Sequence, residues 1–75
     1  MSEINQFSEG DRVKWSWGNG YGQGTVRSKF TEKTTRKIDG TEVTRDGSKE
    51  NPAYYVEVEE ANNVLKLGSE LEKDS

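Results

Sequence analysis

The chain has no cysteine and no histidine. The first absence removes disulfides and thiolate metal sites. The second removes the commonest acid–base group near neutral pH and the commonest metal ligand. Proline occurs once, at Pro52. No apolar run approaches the ~20 residues that cross a bilayer, and no signal-peptide pattern precedes the first strand-like run. Apolar residues make up only 28% of the chain and charged residues 33%, a balance that suits disorder when the apolar residues are scattered. Here they fall instead in short alternating runs bounded by Gly, Asp and Asn, the pattern of a small sheet protein. The expectation is one cytoplasmic domain over residues 1–75, frayed at 1–6 and 74–75, with no cofactor, no metal and no membrane partner. So small a core supplies about 3–5 kcal/mol.

The stretch from Gly10 to Phe30 organises the rest. Two strand-like arms, Arg12–Trp17 and residues 24–30, flank a turn with glycine at 18, 20, 22 and 24, where positive φ and close backbone approach are allowed. Alternation puts Val13, Trp15 and Trp17 on one face and Arg12, Lys14 and Ser16 on the other. In the second arm it groups Val26 with Gly24, Ser28 and Phe30. Phe7 is placed to cover one end of the fold, and Ile4 to dock. A second hairpin follows, turning at Asp39-Gly40. It pairs Ile38 with Thr41, Lys37 with Glu42, Arg36 with Val43 and Thr35 with Thr44, and it projects as a basic, Thr-rich ribbon. After a loop over residues 46–52, residues 53–59 alternate, with Tyr54, Val56 and Val58 inward and Tyr55, Glu57 and Glu59 outward. Residues 60–63 form a turn and residues 64–67 return as a strand. Ser69 and Glu72 have capping-box spacing for a helical turn, and a 3₁₀ turn leading into a short strand at 71–73 fits as well. The expected core is dominated by Trp15, Trp17, Tyr54 and the Val and Leu positions.

The net charge of −3 hides a split. Residues 27–49 carry seven bases against four acids, and residues 50–75 carry seven acids against Lys66 and Lys73. Such a split orients a charged partner, although mixed solvated faces produce it more often.

Several motifs stand in a recognisable order: Gly10-Asp11-Arg12-Val13-Lys14-Trp15-Ser16-Trp17-Gly18, Gly22-Gln23-Gly24-Thr25-Val26, Asn51-Pro52-Ala53-Tyr54, and Val64-Leu65-Lys66 with Ser69-Glu70-Leu71-Glu72. With the intervening hairpin they resemble the hypervirulence-associated protein TUDOR-domain family of small bacterial and fungal proteins, over about residues 7–73. The resemblance implies an all-β fold, a small SH3-like (Tudor-type) barrel of about five strands with a projecting β-hairpin. It implies no particular activity.

Four chemistries are weighed against plain structural roles. Trp15, Trp17, Tyr21 and Tyr55 near the glycine-rich turn are candidates for an aromatic cage around a cation. Against it, the loop at 60–63 supplies no ring, and Trp15 shares the core face of Val13. Trp17 and Tyr21, beside glycines at the rim, are the candidates for exposure. Second, the basic residues on or beside the ribbon, Arg36, Lys37 and Arg45 foremost, suit phosphates with stacked bases. The acidic pI of about 4.9 opposes that, as does the routine use of Lys and Arg to protect sheet edges. Third, the glycine run matches neither a dinucleotide fingerprint nor a P-loop and reads as a bend. Fourth, Glu57, Glu59 and Glu60 read as a solvated face rather than a hard-cation site. Catalysis would need Ser or Thr with Lys or a carboxylate in a pocket too small to shift their pKa values.

The residues therefore point to a non-enzymatic binding module that takes a peptide or protein segment at an aromatic and basic rim, with Trp17, Tyr21, Tyr55, Arg36, Lys37 and Arg45 as candidate contacts. The alternative is a nucleotide or single-stranded nucleic-acid binder using the basic hairpin. Oligomeric state is not readable.

Overall fold

The computed structural model describes residues 6–59 and 61–74. Ile4, Glu60 and Ser75 lie outside the described residues, and the expectations placed on them with them. Seven strands form: β1 Arg12–Trp17, β2 Gly20–Phe30, β3 Lys33–Ile38, β4 Thr41–Asp46, β5 Ala53–Glu57, β6 Val64–Leu67 and β7 Glu72–Lys73, with a 3₁₀ turn over Gly68–Glu70. Five make one antiparallel sheet in the order β6-β5-β2-β1-β7, and β3 and β4 pair only with each other. This is a small Tudor-like barrel with the hairpin as a separate ribbon.

The core follows from alternation. Val13, Trp15, Val26, Tyr54, Val56 and Leu71 pack together, with Val58 and Val64 against them. Phe7 covers one end, its ring edge-on to Tyr54 with centroids 5.4 Å apart. Its N–H donates to the buried Tyr54 hydroxyl at 2.9 Å. Burial pushes the Tyr54 phenol above its ordinary pKa, because the ionised form would lose its hydration there; the Phe7 N–H works against that shift and the charge of Asp11 with it. Trp17 departs from the expected core. Although it shares a face with Trp15, it is 61% exposed, because the β1–β2 hairpin runs past the end of β5, the strand that covers β2 on its other side.

Two local departures matter for the site. First, the glycines at 20, 22 and 24 are not a turn but the start of β2, which is 11 residues long. The turn is only Gly18-Asn19, between the paired Trp17 and Gly20. Second, the register of β2 on β5 shifts between Val26 and Ser28. A bulge there inserts one residue and inverts the alternation beyond it. Val26 faces the core opposite Val56, whereas Ser28 and Phe30 lie opposite Tyr55 and Ala53, on the other face of the sheet from the one expected for them.

That other face is where the ribbon lies. Its register is the expected one, Ile38 with Thr41 through Thr35 with Thr44. Asp39 (φ 51°) and Gly40 (φ 78°) give the two left-handed residues of a type I′ turn. Strand β4 lies against β6, and the Arg36 guanidinium stands 4.5 Å over the Phe30 ring. Leu65 and Ala53, buried without belonging to the barrel core, fill this second layer. Past β6, Glu70 rather than Glu72 closes the turn, accepting from the Leu67 N–H at 2.8 Å. The β7 ladder extends to Asp74, whose N–H donates to the Arg12 carbonyl at 3.0 Å.

Candidate functional site

The site arises from a mismatch in strand length. Strand β5 ends at Glu57, opposite Thr25. There the Val58 N–H donates to the Asn63 side-chain carbonyl at 3.1 Å, turning the chain away from β2. The Asn63 amide donates in turn to the Tyr55 hydroxyl at 3.0 Å, bracing the turn from its far side. Strand β2, however, continues from Thr25 back to Gly20 with, among the described residues, only strand β1 paired to it. The wedge between is an open groove of about 600 Å³. Its lining includes Trp15, Val58 and Val64, with Trp17 and Tyr21 on the hairpin wall and Ala61 and Asn62 on the opposite wall.

The glycines make the groove possible. The Trp15 indole occupies the space that a β-carbon on Gly22 would fill, and a β-carbon on Gly24 would meet the Glu57 carbonyl and the Val56 side chain. Around Gly20 the corresponding space is open.

The exposed large hydrophobic residues Trp17 and Tyr21 (61% and 65%) both border this groove. They do not face each other. Trp17 lies on the Trp15 face, whereas Tyr21 is opposite Ser16 on the Lys14 face. There the Lys14 ammonium is 5.8 Å from its ring centroid. Among the described residues the ring–ring contact is Phe7 on Tyr54, and Tyr55 lies beyond the turn, outside the groove lining. The structure thus brings Trp17 and Tyr21 to one groove without converging Trp17, Tyr21 and Tyr55 around a single point.

The three ribbon residues are also separated. Arg36 and Arg45 share the face turned to the barrel, and Lys37 lies on the other. Arg36 stacks on Phe30 and donates to the Thr35 carbonyl at 3.0 Å. Arg45 pairs with Glu70 at 3.3 Å. On the outward face Lys37 stands opposite Glu42 and Lys33 opposite Asp46, so the charges of that face cancel in pairs. Strand pairing thus sets two lysines of the basic run against acids.

Among the described residues the charges of the groove are balanced too. Arg12 lines it with its guanidinium held by the Thr25 hydroxyl at 3.2 Å, and Glu59 lines it as well. Glu57 pairs with Arg27 at 3.4 Å. Because β5 ends before Glu59, strand alternation accounts for the outward direction of Glu57 alone. Arg12, Val58, Val64 and Asn63 were not legible as site residues. Their signal is the Asn62-Asn63 pair, whose second amide ends the β5 alternation at Val58.

No helix among the described residues is long and apolar enough to cross a membrane. The family model "Hypervirulence associated proteins TUDOR domain" matches residues 10–71, most of the chain. No curated protein and no solved structure matches the chain closely. The chain belongs to the hypervirulence-associated protein TUDOR-domain family.

Proposed function

We propose that this TUDOR-family domain is a non-enzymatic binding module whose groove beside the β1–β2 hairpin takes a peptide or protein segment. The observation that carries this reading is Trp17, a large aromatic left in solvent on the wall of a groove that also contains Trp15, Val58 and Val64. Exposed aromatics beside an apolar depression are the anchors of protein interfaces, because docking removes their surface from water at little cost in side-chain entropy. The walls are preformed, with Trp15 against Gly22 and the turn braced by Asn63. Ordering costs on binding are correspondingly small.

The ribbon fits phosphate binding less well, since Arg45 is already paired and Lys37 faces Glu42. The test is an NMR titration of the labelled domain with extended peptides, methyl-lysine peptides, nucleotides and single-stranded oligonucleotides. Shifts should centre on the Trp17 indole, Tyr21, Val58 and Val64. Shifts confined to Arg36, Lys37 and Arg45 with oligonucleotide would contradict the reading.

A further inference from the structure

The groove contains more than apolar surface, because one of its walls is a strand edge that no other strand among the described residues pairs with. In β2 the Val26 N–H donates to the Asp11 carbonyl, and the Val26 carbonyl accepts from the Gly10 N–H, both on the β1 side. Backbone direction alternates along a strand. Gly24, Gly22 and Gly20 therefore turn their backbone groups toward β1, in register with Val13, Trp15 and Trp17. Thr25, Gln23 and Tyr21 turn theirs the other way. Thr25 meets Glu57 in β5. Beyond it β5 is gone, and among the described residues no strand partner stands on that side of Gln23 or Tyr21. The groove is lined both by Trp15 and Trp17 from one face of the sheet and by Tyr21 and Gln23 from the other. A cavity touches both sets only when it abuts the strand edge.

Resting on the groove reading above, we infer that the guest binds by strand addition, as an extended segment that continues the line of β5 and pairs with Tyr21 and Gln23. This mode fixes the chemistry of the guest. Side chains at alternate positions turn toward Trp15, Trp17 and Val58 and are apolar. Those between run beside Tyr21 and Gln23 and are polar. Among the described residues the groove carries one cation, Arg12, and one anion, Glu59, a balance that favours no charge on the guest. The partner is an uncharged, proline-free stretch alternating β-branched apolar residues with Thr or Ser, held mainly by main-chain bonds. Gly20, with open space at its β-carbon, leaves the start of this edge unobstructed, whereas on the ribbon the outward carbonyls of Thr35 and Thr44 are each capped by a neighbouring arginine. The two edges are thus treated oppositely: one is guarded and the other bare.

The test uses the full chain and a capped seven-residue peptide alternating valine and threonine. Two further peptides carry backbone N-methyl groups, one on the odd and the other on the even residues. The unmodified peptide should shift the Tyr21 and Gln23 amides and slow their exchange with solvent, and one of the two methylated sets should bind about tenfold or more weakly because its bonds to β2 are blocked. If Trp17 responds while the Tyr21 and Gln23 amides exchange unchanged and both methylated peptides bind equally, strand addition is wrong and the groove reading survives. Absence of binding by any peptide, with Trp17 unmoved, removes both. Concentration-dependent protection of Tyr21 and Gln23 without peptide would assign the edge to a second copy of the chain and overturn the proposal.

Discussion

The indole of Trp15 lies across Gly22, in the space where any other residue would place its β-carbon. One wall of the groove and one side of the core are thus the same contact. Gly22→Ala should destabilise the domain by about 1–3 kcal/mol, the usual range for overpacking. Gly20→Ala, two residues earlier on the same strand with open space at its β-carbon, should stay within about 0.5 kcal/mol of wild type. Urea unfolding of the two variants checks the contrast, and equal losses would contradict it.

The hydroxyl of Tyr54 accepts from Phe7 in a fully buried setting. Tyr54→Phe leaves that N–H without a partner and should cost about 1–3 kcal/mol. The same phenol sets a pH limit. It is neutral in the fold and its pKa is raised there, so above the ordinary value of about 10 the unfolded chain gives up the proton first. The Tyr54 contribution should therefore be constant below about pH 10 and be lost as pH rises through the folded-state value. Thermal melts should show this alkaline loss in wild type and a smaller one in Tyr54→Phe.

At the ribbon tip Asp39 and Gly40 both have positive φ. Gly40→Val forces a β-branched side chain into that region and should cost roughly 1–2 kcal/mol. Asp39→Asn, which keeps a residue tolerant of it, should be close to neutral. Both are measured by chemical denaturation.

Trp17→Ala removes a ring that is mostly in solvent. Stability should change by no more than about 0.5 kcal/mol, while affinity for a groove-binding peptide falls by about tenfold or more. Calorimetric titration next to a melting curve separates the two effects. A large loss of stability would show that Trp17 is a core residue after all.

Much of the fold was legible because alternation and turn chemistry are local. Asp39-Gly40 set the ribbon register, and Val13, Trp15, Tyr54 and Val56 declared a common interior. What escaped was non-local. The bulge at Arg27 inverts the faces of Ser28 and Phe30 without any mark in the sequence, and only that inversion explains how Phe30 comes to lie under Arg36. The glycine run read as a turn because glycine favours bends, yet here it flattens a strand so that an indole can lie against it. At the site, Trp17 and Tyr21 were visible from their place beside the glycines. Val58 and Val64 were not, since the groove depends on where β5 stops, and an amide five residues farther along decides that. On the ribbon the expected Lys37–Glu42 pair is joined by Lys33 opposite Asp46, a pairing of charges that a linear count over residues 27–49 does not see.

The most direct test of the groove as the contact face is the affinity of the valine–threonine peptide, followed at the Trp17 indole N–H, in about 50 mM and about 500 mM salt. An uncharged peptide held by apolar contacts and main-chain bonds should shift that N–H with an affinity unchanged within about twofold. No response of the Trp17 indole N–H to the peptide at either salt concentration would contradict the account and remove the groove as the contact face.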